Sequence, residues 1–410
     1  MTSIVDVILA PALGAFYYDD QAAIRQGRGQ DGLAYAGAPL TPGFAQVRMP
    51  AAALGVGLLL SDGQMAWGDM VSVQYSGAAG RDPLFDPVAI AALVRDVVTP
   101  RLIGRTAGAA RATAAAALAG QRLPIAVEYG ISQALLQAEA LARCLTMAEV
   151  VAADLGLPPP HQPVPIFAQS GDERQINVDK MILKRVDILP HGLINAREKF
   201  GPDGAAFLDY VRWVAARVQA LGPADYRPVL HFDLYGWIGL GIGLDPQAIA
   251  DFCARVADAV PGWRVHLECP ADYGNRAAQI GEYARIVDAV DRLTDRVAIV
   301  ADEYCNTLED IIAFCDARAG HIVQIKTPDV GSLFDTADAI RHAKAHGIGA
   351  YSGGSCAETD VSARACVHVA VAAQADMMLA KPGMGVDEAI TIVGNEQARL
   401  LATIAARGRA

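Results

Sequence analysis

The chain has 410 residues, 53% of them hydrophobic and 19% charged, so it can bury enough apolar surface to offset its ordering entropy and is not a disordered protein. Its 34 basic and 45 acidic residues leave a formal net charge of −11, which argues against nucleic acid or an anionic membrane as a partner. The longest uncharged stretch, 155–171, holds five prolines and predicts no membrane-spanning helix.

At about 150 residues per domain, the length allows two or three domains, or one large barrel with an appended domain. Met1–Gly14 has no basic start and carries Asp6 inside its apolar run, which predicts a cytoplasmic protein without a secretory signal. Next comes Gly27-Arg28-Gly29-Gln30-Asp31-Gly32, a formal G-x-G-x-x-G. No strand leads into it and no apolar helix follows, so Arg25–Gly32 reads as a mobile lid loop and not as a dinucleotide site. Short strand patterns follow at Ala45–Met49 and Val56–Leu60, with a turn at Asp62-Gly63 and a return run over Met65–Val73. Alanine-rich helical patterns come after these, one opening at the capping box Thr146–Glu149. The prolines of Leu157–Pro165 mark a junction, which divides the chain into an α+β domain, 1–160, and a second domain, 161–410.

Beyond the junction, short apolar runs each end in a polar group and a turn. They are Val164–Ala168 ending in Gln169, Pro228–Phe232 in Asp233, Trp263–Leu267 in Glu268, Val297–Ala301 in Asp302 and His321–Ile325 in Lys326. Ile348–Tyr351, followed by Gly353-Gly354-Ser355-Cys356, and Ala375–Leu379, followed by Lys381-Pro382-Gly383, complete the series. The interval of roughly 30 residues is that of one strand–helix unit, and its repetition predicts an α/β fold with a parallel barrel whose functional groups sit at the C-terminal strand ends. Gly239, Gly241 and Gly243 after the Asp233 strand read as loop or helix-entry residues.

Asp233, Glu268 and Asp302 are expected to converge at the barrel mouth. Three such anions repel one another unless a cation lies between them, and hard oxygen donors suit Mg²⁺ or Mn²⁺; a salt-bridge cluster is the plainer alternative. The seven cysteines contain no C-x-x-C pair, so neither a disulfide framework nor a thiolate zinc site is expected. Gln324 and Lys326 share one strand face. Lys326 can act as a base beside a divalent cation, as a Schiff-base lysine, or as a simple charge partner of Asp302. His191, after the first barrel strand and a short helical stretch, is open to a catalytic or a hydrogen-bonding role. Gly353–Cys356 reads either as a turn offering N–H groups to a carboxylate or as an ordinary turn.

Seven segments in order resemble the methylaspartate ammonia-lyase family of the enolase superfamily: Phe16–Gln21 (FYYDDQ), Val73–Phe85 (VQYSGAAGRDPLF), Phe167–Asp172 (FAQSGD), His231–Gly236 (HFDLYG), Val300–Asn306 (VADEYCN), Val323–Asp329 (VQIKTPD) and Lys381–Glu388 (KPGMGVDE). The resemblance runs over nearly the whole chain. It implies a modified TIM barrel with an N-terminal capping domain, a homodimer, Mg²⁺, and a monovalent cation such as K⁺ as activator. It also implies reversible loss of ammonia from L-threo-3-methylaspartate to give mesaconate through a metal-stabilised enolate. By motif, Asp233, Glu268 and Asp302 would be the metal ligands, Lys326 the base for the C3 proton, and His191 would face it across the substrate. Gln169, Gln324, Ser355 and Cys356 would hold substrate carboxylates, while Gln74 and Leu379 would shape the amine and alkyl pockets. Ser355 stands where the family usually has threonine, Cys269 where glycine is common, and Tyr304 and Ser352 where tryptophan and cysteine are frequent. Another enolase-superfamily reaction, a Schiff-base aldolase and a non-catalytic binding protein of this fold are the competing readings.

Overall fold

The computed structural model describes residues 2–78, 81–120, 122–171, 173–384 and 386–408. Ala79, Gly80, Asp172 and Gly385 of the motif segments lie outside them. The chain opens with β1 (Ile4–Asp19), a two-strand ribbon of β2 (Gln30–Asp31) and β3 (Ala34–Tyr35), and then β4 (Arg48–Leu60) and β5 (Met65–Met70). β1, β4 and β5 form an antiparallel sheet in that order. The Ala45–Met49 and Val56–Leu60 patterns are therefore not two strands, because β4 starts at Arg48 and runs without a turn from the end of the first pattern through the second. The return strand matches, turning at Gly63 with φ 85.

The helix Ile125–Ala142 packs on β5 and is buried on nearly every side. It comes close at a paired small-residue contact: a Cβ on Gly68 would stand 2.2 Å from the Gly130 carbonyl oxygen. The expected capping box is present, with Thr146 and Glu149 bonding each other's backbone N–H.

Eight parallel strands then close a barrel: β6 (Ile166–Phe167), β7 (Ile188–Leu193), β8 (Val229–Asp233), β9 (Val265–Glu268), β10 (Val297–Ala301), β11 (Ile322–Ile325), β12 (Gly349–Ser352) and β13 (Met377–Leu379). Its interior is filled by Phe167, Ile188, Val300, Ile322, Tyr351, Met377 and Leu379, as layered barrel cores are. The sequence patterns disclose seven of these strands. β7 escapes them because Pro190, His191 and Gly192 interrupt its apolar run, so His191 lies within a strand and not in a connection. Gly239 and Gly241 lie in the short helix Trp237–Ile242 and Gly243 ends it, as read.

The N-terminal sheet is tied to the barrel where the site forms. The Ala15 N–H donates to the Glu358 carbonyl at 3.0 Å, and a Cβ on neighbouring Gly14 would stand 2.0 Å from the Ala357 carbonyl oxygen. Only glycine allows β1 to lie this close to the loop after β12. Among the described residues no helix is long and apolar enough to cross a membrane.

Candidate active site

The order of strands in the ring decides which side chains meet. Asp233 and Glu268 end β8 and β9, while Asp302 and Lys326 directly follow β10 and β11. Asp233 and Glu268 are register partners across β8 and β9. His191 stands on β7, four places from β11 in the ring of eight, so it approaches from the wall opposite Lys326. The remaining arc, β12, β13 and β6, brings Ser355 and Cys356, Leu379 and Gln169. From the N-terminal sheet side, Gln74, Tyr75 and Arg81 close the cavity. All eleven residues singled out from the sequence line this one cavity.

Glu268 is held on both oxygens: His231 Nε2 lies 2.7 Å from Oε2, and the Gln324 amide donates to Oε1 at 2.6 Å. A carboxylate only accepts, so His231 carries its proton on Nε2. His191 Nε2 lies 3.6 Å from the same Oε2 and 3.9 Å from Asp233 Oδ2. Lys326 Nζ pairs with Asp302 Oδ1 at 2.8 Å. His191 and Tyr235 both take φ 47 and Cys269 takes φ 46, left-handed backbone that non-glycine residues adopt at a cost and that clusters at functional sites. The value at Cys269 accounts for glycine being common there in the family.

Burial and mutual repulsion dominate the electrostatics. Burial, then the charges of Glu268 and Asp302, push the Asp233 carboxyl well above its ordinary range. Asp302 is raised to about 6 by burial, although Lys326 opposes the shift. Glu268 resists its burial and stays below the usual range because His191 and His231 donate to it. Lys326, against the cost of burial, is held above the ordinary ammonium range by Asp302. Carboxyls that hold protons because they face other carboxylates form a site short of positive charge, and their donors are hard oxygens, as Mg²⁺ requires. Among the described residues, the ligand atoms here within 4.8 Å of one another belong to His191, His231 and Glu268. The three carboxylates do not form that compact set, since Asp302 is turned toward Lys326. His231 is fully buried and spends its Nε2–H on Glu268, so it orients that carboxylate and offers the cavity no lone pair from Nε2.

On the opposite arc, Ser355 Oγ accepts from the backbone N–H groups of Gln74 at 3.1 Å and Ala357 at 3.2 Å. Its own O–H is thereby left to donate. The Ser355 N–H is already bonded to Glu358 Oε2 at 2.8 Å, so this turn offers a hydroxyl where a backbone N–H was expected at that residue. Gln74 is fixed at both ends: its Nε2 donates to Asp19 at 2.8 Å and its Oε1 accepts from Cys356 Sγ at 3.3 Å. Asp19 is in turn gripped by Arg48 through two bonds of 2.7 Å.

The sequence reading missed Arg81, Glu303, Tyr235 and His231. Arg81, from the N-terminal part of the chain, brings a second cation to the cavity beside Lys326, bonded to Asp329 at 2.8 Å. The signal was available: Arg81 and Asp329 lie in two of the quoted segments, and His231 shares a strand face with Asp233. Beyond Tyr75 and Tyr235 lies a second cavity bounded by Ile24, Arg25, Trp237, Leu240 and Asp272, which places the start of the Arg25–Gly32 segment beside the entrance.

A closed parallel barrel with carboxylates at three successive strand ends, opposed lysine and histidine, and a strand-rich N-terminal roof defines an α/β-barrel enzyme with its site at the C-terminal strand ends. The muconate lactonizing enzyme of Pseudomonas fluorescens shares the fold at 17% identity, with a TM-score of 0.63 over 96% of this chain and 89% of that one. Within that class the match narrows. The families described as methylaspartate ammonia-lyase N-terminus and C-terminus match residues 2–156 and 160–406, and the chain belongs to the methylaspartate ammonia-lyase family. It is an enzyme of the ammonia-lyase class. Methylaspartate ammonia-lyase of Citrobacter amalonaticus is 46% identical over 98% of both chains, and that of Clostridium tetanomorphum is 45% identical over 98% of this chain and 99% of that one. The structure of β-methylaspartase from Clostridium tetanomorphum, an Mg complex, superposes with a TM-score of 0.95 at 44% identity, covering 99% of this chain and 100% of that one. The Citrobacter amalonaticus enzyme containing (2S,3S)-3-methylaspartic acid gives 0.96 at 45% identity, covering 98% and 99%.

Proposed function

We propose that this chain catalyses the reversible elimination of ammonia from L-threo-3-methylaspartate to give mesaconate, with Mg²⁺, or Mn²⁺ in its place, and K⁺ or a similar monovalent cation as activator. The observation that carries the reading is the pairing of Lys326 and His191 on opposite walls of a cavity one side of which is Asp233, Glu268 and Asp302. The methylaspartic acid in the Citrobacter structure and the Mg complex from Clostridium support the substrate and the metal.

Asp233, Glu268 and Asp302 would hold the Mg²⁺, which when bound would supply positive charge for a substrate carboxylate as the neighbouring proton leaves; with Asp302 given over to the metal, Lys326 would lose the charge that holds its proton. Lys326 takes the C3 proton at Nζ, turning the substrate into an enolate. Ammonia then departs from the adjacent carbon as the carbon–nitrogen bond breaks and the double bond forms. His191 serves the opposite face of C3 through Nε2. The Ser355 hydroxyl, Cys356, Gln169 and Gln324 bind the carboxylates. Gln74, immobilised between Asp19 and Cys356, faces the amine, and Leu379 faces the methyl group. His231 orients Glu268 from below.

In this reading residues 1–160 are the capping domain, 161–410 the catalytic barrel, and Arg25–Gly32 the lid; the enzyme is a cytoplasmic homodimer. The test is an assay for released ammonia alongside mesaconate. A dehydratase or racemase built on the same metal and base would release none.

A further inference from the structure

At the other end of the barrel from this cavity, Asp316, His342 and His346 bring three possible ligand atoms within 4.8 Å of one another. Asp316 ends the helix Leu308–Asp316 leading into β11, and His342 and His346 lie in and just after the helix Leu333–Ala345 leading into β12. The cluster therefore sits at the N-terminal ends of the strands, remote from every residue given a catalytic role above.

His342 and His346 are one helical turn apart, and their rings stack with centroids 4.1 Å apart. His346 Nδ1 lies 2.9 Å from the backbone carbonyl oxygen of His342. A carbonyl only accepts, so that nitrogen carries the ring proton, and in the neutral ring Nε2 keeps its lone pair. This Nε2 lies 3.4 Å from Asp316 Oδ1, the same oxygen that His342 Nε2 approaches at 3.0 Å. A lone pair facing a carboxylate oxygen is repulsive unless a positive charge lies between them. A proton on His346 would supply one for that ring alone. A metal ion satisfies all three groups together. In a tetrahedral site with bonds of about 2.0–2.1 Å, neighbouring ligand atoms lie about 3.3 Å apart, which agrees with both separations here. An Nδ1–H anchored on a backbone carbonyl is also the usual outer partner of a metal-bound histidine.

We propose that Asp316, His342 and His346 form a peripheral site for a borderline divalent ion of the Zn²⁺, Co²⁺ and Ni²⁺ class, with water completing the coordination. The ion clamps the helix before β11 to the helix before β12. Two imidazoles and one carboxylate favour such ions over Mg²⁺, so the site is chemically distinct from the oxygen-lined cavity at the other end of the barrel.

The test uses the full chain, freed of transition metals with a chelator and then saturated with Mg²⁺. ZnCl₂ is titrated by calorimetry and thermal unfolding is followed in parallel, for the wild type, His342→Ala, His346→Ala and Asp316→Asn. The wild type should take up one equivalent of Zn²⁺ more than either histidine variant, and Zn²⁺ should raise its Tm by more than it raises theirs. Asp316→Asn should weaken that uptake. Zn²⁺ entering the catalytic cavity adds equally to all four proteins and cancels in the comparison. Turnover with Mg²⁺ and no Zn²⁺ should be equal in all four, which checks that the variants are folded. Equal Zn²⁺ uptake by the wild type and both histidine variants overturns the proposal and leaves the cluster as a pair of imidazolium–carboxylate contacts.

Discussion

Lys326, directly after β11, and His191, on β7, come from strands four places apart in an eight-stranded ring and face each other across its mouth. Between them one arc carries Asp233, Glu268 and Asp302, and the other leads to Ser355, Cys356, Leu379 and Gln169. Under the proposed function the ring would separate the groups that answer developing charge from those that recognise shape and carboxylates, with a proton-transfer group at each end of the dividing line.

From this arrangement, Lys326→Ala should lower turnover of the threo isomer by at least the 10²–10⁴-fold typical of a lost general base. His191→Ala should act mainly on the erythro isomer and on the stereochemical purity of methylaspartate made from mesaconate and ammonia. Chiral analysis of that product checks it; an unchanged isomer ratio in His191→Ala would reduce His191 to a hydrogen-bonding group.

Asp302, raised to about 6 chiefly by burial, predicts a proton-linked metal site. Below that pH the carboxyl is protonated and neutral, and Mg²⁺ must displace the proton; above it the carboxylate is already present. Apparent Mg²⁺ affinity should therefore fall as pH drops through 6, with proton release visible by calorimetry in buffers of different ionisation heat. Asp302→Asn should weaken binding at every pH and remove the share of the proton release that comes from Asp302, leaving that of Asp233.

His231 donates to Glu268 at 2.7 Å from full burial. Removing an outer partner of a metal ligand commonly costs about 10–100-fold in affinity, so His231→Asn should weaken Mg²⁺ binding by that order with circular dichroism unchanged. An unaltered Mg²⁺ affinity would deny His231 its orienting part.

The charged strand ends were legible because each polar residue follows an apolar run directly, and in a parallel barrel that position is the mouth. β10 was readable to the residue, as Val297–Ala301 has no interrupting proline or glycine. β7 was hidden by Pro190 and Gly192, and β1 by Pro11 and Gly14 within its sixteen residues. The pairing of Arg81 with Asp329 spans 248 positions, and no local pattern encodes such a contact. The motif resemblance pointed to eleven residues that the fold brings into one cavity, while the bonds that hold them, His231 to Glu268 and Asp19 to Gln74, emerge only from the fold.

Arg81 and Asp329 join the two parts of the chain, each only 7% exposed at the side chain. Removing one partner of a buried pair costs about 3–5 kcal/mol, so Arg81→Ala should lower stability by that order in denaturant titration. A midpoint indistinguishable from the wild type would show that the pair contributes nothing to holding the sheet on the barrel.

Gly27, Gly29 and Gly32 have no neighbouring atom within 4 Å of where a Cβ would stand, but Gln30–Asp31 pairs with Ala34–Tyr35, so the lid of the proposed function is a hairpin and not a bare loop, and it would move over the entrance as one piece. Its proteolysis should slow when substrate and Mg²⁺ are added together. Equal cleavage rates with and without them would remove its standing as a lid.

The central claim is most directly tested by ultraviolet detection of mesaconate, whose conjugated double bond the substrate lacks. Purified enzyme with L-threo-3-methylaspartate and Mg²⁺ should give a rising absorbance matched mole for mole by ammonia, stopping on addition of EDTA and resuming when Mg²⁺ is restored in excess. No mesaconate under those conditions, or a rate indifferent to EDTA, would contradict the account.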